Sequence, residues 1–130
     1  MFAKKKQPTI RTLIGEGTVI RGELRFSDGL RIDGEVQGDV VASDDVHSIL
    51  VISEKARIVG KVRAAHVIIN GAVEGPIFAD ELLELQPKAM IVGDVTYEVL
   101  EMHQGATVHG QMRPMKAQEK PALKLAANNL

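Results

Sequence analysis

A five-residue pattern, apolar-x-Gly-x-apolar, recurs six times along the chain and constrains its fold more than any other feature. The copies are Ile20-Arg21-Gly22-Glu23-Leu24, Val36-Gln37-Gly38-Asp39-Val40 and Ile58-Val59-Gly60-Lys61-Val62, then Val73-Glu74-Gly75-Pro76-Ile77, Ile91-Val92-Gly93-Asp94-Val95 and Val108-His109-Gly110-Gln111-Met112. Every flanking position is apolar in a chain that is 45% hydrophobic, and the Gly-to-Gly spacings are 16, 22, 15, 18 and 17 residues. A period near 17 predicts a solenoid, in which each turn buries its apolar face against its neighbours. Alternation around each Gly predicts a strand with the apolar residues inward, and Gly suits the bend between strands. Partial copies, Ile32-Asp33-Gly34-Glu35-Val36 and Ile69-Asn70-Gly71-Ala72-Val73, mark further strands of the same coils. Such a turn holds three short strands and three corners. Six coils spaced by about 4.8 Å make a triangular rod on the order of 30 Å long.

The core must be small and aliphatic, because aromatics are only 3% of the residues. Two irregularities need a place in this plan. The 22-residue spacing calls for an added loop, supplied by the polar run Ser43-Asp44-Asp45-Val46-His47-Ser48. Pro76 cannot donate to a strand ladder and so belongs at a corner or bulge. At 130 residues the chain fits one all-β domain, a parallel β-helix over residues 13–113. A flexible basic arm, residues 1–12, is expected before it and a disordered tail, residues 114–130, after it.

Several function classes find no support. A formal net charge of −1 gives no reason to expect nucleic-acid binding, and the absence of Cys removes disulfide and thiolate chemistry. The histidines His47, His66, His103 and His109 sit at offsets 9, 6, 10 and 16 from a repeat Gly. Only His47 and His103 share an angular position, three coils and about 14 Å apart, too far for one metal. Glu23, Asp39 and Asp94, with Lys61 among them, read as a solvated outer face. No catalytic residue, metal site or cofactor is expected, and no phosphate loop or dinucleotide fingerprint is present. No apolar stretch approaches the roughly 20 residues needed to span a bilayer. The N-terminus lacks the apolar run of a secretion signal, so the expected compartment is the cytoplasm.

A solenoid exposes strand edges and core at its ends unless something caps them. Neither flank carries an amphipathic pattern able to do so, which makes self-association the expected outcome. The candidate interface residues are Val19, Ile20 and Leu24 in the first coil, and Leu100, Met102, Val108 and Met112 in the last. The arm offers a second candidate site, a membrane contact made of Met1, Phe2, Lys4, Lys5 and Lys6. Phe2 at a lipid interface contributes about 2 kcal/mol, and each lysine about 1 kcal/mol on an anionic leaflet. The total binds one subunit weakly, with Kd about 0.1–1 mM. A filament displaying many arms converts that into stable attachment.

With its Gly-centred repeats, the segment Gly105-Ala106-Thr107-Val108-His109-Gly110 and the Met1-Phe2-Ala3-Lys4-Lys5-Lys6 start, the chain resembles the bactofilins, bacterial polymer-forming cytoskeletal proteins, over residues 10–113. The resemblance implies a right-handed β-helix that polymerises without nucleotide into non-polar filaments, a role in cell shape, and scaffolding of cell-wall enzymes. The filaments would lie on the inner face of the cytoplasmic membrane. One departure from the family pattern is Val108, where the last coil often carries an aromatic residue. The rival from another class is an enzyme on a left-handed β-helix, a hexapeptide-repeat acyltransferase or a zinc hydratase. Those repeat an apolar residue followed directly by a small one every six residues, whereas here one residue separates the apolar position from Gly. A third alternative, a monomeric adaptor, would remain a small particle at all concentrations.

Overall fold

The computed structural model describes residues 9–43 and 47–115. Their strands pair in parallel throughout, each with the strand one turn away, and build a solenoid of six turns. Three ladders run along the rod. The first carries the residues just before each repeat Gly: β2 (Val19–Arg21), β5 (Glu35–Gln37), β8 (Arg57–Val59), β10 (Ala72–Glu74), β12 (Met90–Val92) and β14 (Thr107–His109). The second begins after the Gly, with β3 (Leu24–Phe26) and β6 (Val40–Ala42), and ends with β15 (Met112–Pro114). The third begins with β1 (Ile10–Ile14), β4 (Gly29–Ile32) and β7 (Ile49–Ile52). The strands β9 (Val62–Ile69), β11 (Ile77–Leu85) and β13 (Val95–Met102) run through both the second and third ladders without a break. Those two ladders therefore form one nine-stranded sheet beside a six-stranded one.

Register stacks like on like. Ile20, Val36, Ile58, Val73, Ile91 and Val108 form one inward column. Leu24, Val40, Val62, Ile77, Val95 and Met112 form the next. In the interior coils every member of both columns is fully buried. Full burial of each aliphatic side chain stabilises the fold by about 1.5–3 kcal/mol. The apolar residues flanking each Gly thus point inward, as the alternation predicts.

The Gly column has a firmer cause than a bend. Each repeat Gly has positive φ, from +121° at Gly22 to +157° at Gly110. From Gly38 onward, a Cβ added to any of them would collide with the carbonyl oxygen of the Gly one coil below. Gly22, in the first coil, has nothing within 4 Å of that position. Coils stack too closely along this corner for any side chain that begins with a Cβ.

The corners resolve the irregularities. Pro76 lies between β10 and β11, where its carbonyl accepts the Val62 N–H at 2.9 Å. The residue after Gly is a corner position, and there Asp39 Oδ1 accepts the Lys61 N–H and Asp94 Oδ1 the Gln111 N–H, both at 2.9 Å. Asp39 and Asp94 therefore bridge adjacent coils in addition to facing solvent. Residues 44–46 of the extra loop lie outside the described residues, but the chain rejoins the rod at Ser48. This buried residue takes the Ala65 N–H on its Oγ at 2.9 Å and the His66 N–H on its carbonyl at 3.0 Å. β11 carries a bulge between Ala79 and Leu82 that puts Asp80 and Glu81 at its bend.

The first coil starts before the first Gly-centred copy. Ile10 pairs with Gly29 and Thr12 with Leu30, with a bulge at Arg11, so residues 10–12 join the rod rather than the arm. Residues 1–8 of the arm, and the tail beyond Met115, lie outside the described residues.

Candidate polymerisation interfaces at the ends of the rod

At the C-terminal end, among the described residues, nothing stacks on the last members of the four inward columns. Val108 stands over Ile91, Met112 over Val95, Leu100 over Leu83 and Met102 over Leu85. The four residues beneath are fully buried, while Val108 and Leu100 are half-buried and Met102 and Met112 are 45% and 37% exposed. All four candidate residues at this end thus share one apolar surface, bounded by β14, β15 and the part of β13 from Val99 onward, whose outer edges pair with no other described strand.

At the N-terminal end Ile20 and Leu24 close their columns in the same way, over Val36 and Val40. The remaining two columns are closed by Thr12 over Leu30 and Ile14 over Ile32, neither of which the Gly-centred pattern singled out. No repeat Gly precedes β1, so only the pairing reveals that Ile14 is an end residue. Val19 is placed differently from Ile20. It lies in an outward column with Glu35 and Arg57, 47% exposed on the side of the rod, because neighbours in a strand point to opposite faces.

The family model for the bactofilins, described as polymer-forming cytoskeletal, matches residues 12–113. The chain belongs to the bactofilin family. Its match is the solenoid itself, from the first coil to the last. Bactofilin BacP of Myxococcus xanthus (strain DK1622) is 27% identical over 101 residues, which cover 78% of this chain and 40% of that protein. Bactofilin BacO of the same organism is 25% identical over 111 residues, 85% of each. The chain thus spans well under half of BacP. No solved structure matches significantly. The family is structural and polymer-forming, which implies self-association of this bactofilin.

On the side of the rod, ion pairs link its coils, among them Arg57 with Glu74 and Arg63 with Asp80, both at 2.8 Å. A groove of about 390 Å³ beside the corner between the third and first ladders is lined by Arg31, Asp33, Ser53 and Asn70 over Val51 and Ile68. Its charges are internally paired. A hydrogen bond from Ser53 Oγ at 2.6 Å, and then Arg31 at 2.9 Å, hold the Asp33 carboxyl below its ordinary pKa. Lys55 meets Glu16 at 3.5 Å, and Lys88 meets Glu54 at 2.7 Å, the second pair lowering the pKa of Glu54 and raising that of Lys88. Each pair skips a coil: the corners at Glu16, Glu54 and Lys88 are four residues long, whereas Asp33-Gly34 and Asn70-Gly71 between them are two.

The histidines are dispersed. His103 Nε2 lies 3.3 Å from Glu84 Oε2, His109 is exposed on the first ladder, and the Nε2 of His66 is shielded without a partner. His47 and His103, given one angular position by their offsets, lie at different corners, because the loop before Ile49 displaces the count. Among the described residues no group of three His, Cys, Asp or Glu could hold a metal ion, and no helix is long and apolar enough to cross a membrane. The membrane candidates Met1, Phe2, Lys4, Lys5 and Lys6 lie outside the described residues.

Proposed function

We propose that this bactofilin polymerises through the apolar faces at both ends of its rod and is a scaffold, not an enzyme. The observation that carries the reading is the continuation of four fully buried columns to ends where their last members stand open. Stacking another subunit there extends the pattern each interior coil already satisfies. Two different self-complementary junctions, one per end, produce a filament without polarity. Assembly then draws on burial alone and needs neither nucleotide nor metal. Phe2 and the Lys4–Lys6 run support attachment to the inner face of the cytoplasmic membrane. A membrane-bound filament in the cytoplasm would support cell shape and localise cell-wall enzymes.

The test is Val108→Arg. At a junction the new guanidinium loses water without a counter-charge, which costs several kcal/mol. With chelator present and no nucleotide, wild-type protein should form filaments by negative-stain imaging. Val108→Arg should give small species that keep their β circular-dichroism signal. Dimers would show that the opposite end still pairs. Val59→Lys, outward on an interior coil, should leave filaments intact. Normal filaments from Val108→Arg would refute the C-terminal junction.

A further inference from the structure

Four of the five methionines of the chain fall at positions 90–115, and two of them end inward columns. Met102 is the last member of a column whose other positions are Ile14, Ile32, Ile52, Ile69 and Leu85. Met112 ends a column of Leu24, Val40, Val62, Ile77 and Val95. In both columns every earlier residue is a branched aliphatic, and the thioether appears only where the column meets solvent. The interior has no use for it. Branched side chains pack a repeating layer well, whereas Met is adaptable and oxidisable. Exposures of 45% and 37% leave both side chains accessible in a free subunit.

We propose that Met102 and Met112 form a peroxide-sensitive modification site that controls addition of subunits at the C-terminal end. Hydrogen peroxide transfers one oxygen to the thioether: the O–O bond breaks, an S–O bond forms, the sulfur is oxidised to the sulfoxide, and the peroxide is reduced to water. The sulfoxide is polar, and stacking a second copy over it buries an acceptor without a donor. By the usual cost of such burial, the critical concentration for assembly rises about tenfold to a hundredfold. Within a filament the same sulfurs are covered, so oxidation acts on free subunits and open ends and spares assembled junctions. Methionine sulfoxide reductase, supplied with a dithiol reductant that is oxidised to a disulfide, returns the sulfoxide to the thioether with release of water and so reverses the block. The inference rests on the C-terminal end being a junction.

The experiment treats the full chain with hydrogen peroxide below its assembly concentration. Peptide mass spectrometry locates the sulfoxides, and sedimentation then follows assembly. Sulfoxide at Met102 and Met112 should suppress assembly, and reductase should restore it. Pre-formed filaments should show much slower oxidation at these two positions than at Met90, which is 55% exposed on the side of the rod. Met102→Leu with Met112→Leu should assemble and resist peroxide, while Met90→Leu stays sensitive. If the double variant assembles poorly, reductase rescue of oxidised wild type still decides the matter. Unchanged assembly with both sulfoxides present overturns the proposal, as does equal sensitivity of the double-leucine variant. If Val108→Arg also leaves filaments normal, it is the junction that fails. If Val108→Arg abolishes them while oxidation does not, the redox control alone fails.

Discussion

The Gly column makes a prediction in which backbone strain and steric collision separate. Gly60 and Gly22 both have positive φ, at +152° and +121°. Substituting Ala at either costs about 1–3 kcal/mol for holding an L-residue in that region. At Gly60 the new Cβ also meets the Gly38 carbonyl oxygen, which is backbone and cannot swing aside. The two coils must part, which strains the Gly38 N–H to Val59 O and Val40 N–H to Lys61 O bonds, 2.9 and 2.8 Å long. Two weakened hydrogen bonds at about 1 kcal/mol each and an overpacking penalty of about 1–3 kcal/mol bring Gly60→Ala, strain included, to roughly 4–8 kcal/mol. Much of a typical domain stability of about 5–15 kcal/mol would be lost. Gly22→Ala meets open space and incurs only the strain. The assay is urea denaturation of monomeric protein followed by far-ultraviolet circular dichroism, below the assembly concentration as checked by ultracentrifugation. Gly22→Ala should unfold about 1–3 kcal/mol below wild type, and Gly60→Ala should be severely destabilised or fail to fold. Equal losses at the two positions, or a Gly60→Ala protein within 1 kcal/mol of wild type, would refute collision as the reason for the column.

Two further expectations concern the arm and the groove. Phe2→Glu should abolish co-sedimentation with anionic vesicles while filaments remain, and high salt should weaken binding of the intact protein; unchanged sedimentation would remove the arm from any membrane role. Asp33 is held below its ordinary value of 3.8 in the folded rod, by Ser53 and then Arg31, so its stabilising contribution is present above that value and is lost as pH falls through the lower folded-state pKa. Asp33→Asn should therefore be less stable than wild type at pH 7 and converge with it in acid, as thermal melts across pH 7 to 2 would show; a gap independent of pH would discount the ionised carboxylate.

The residues around each repeat Gly were legible from the chain alone, because period-2 alternation repeated six times admits one inward set. Ile20, Leu24, Val108 and Met112 follow from it as inward residues of the first and last coils. Pro76 was placed by its missing N–H. Ile14 and Thr12 were not legible, since β1 carries no Gly and its role is set by pairing with β4, some eighteen residues on. Val19 shows the same limit from the other side. It is apolar and belongs to the first coil, yet the register of β2 against β5 turns it outward beside Glu35. The arm, Phe2 and Lys4–Lys6, was read from composition and lies outside the described residues. Local alternation settles which residues of a strand share a face, because the backbone pleat is intrinsic to the strand. What lies above or below a residue is a partner one turn away, at a separation that loops and bulges change from coil to coil. Only the folded stack could therefore show Asp39 receiving the N–H of Lys61 across 22 residues, or a carbonyl oxygen where each interior repeat Gly would carry its Cβ.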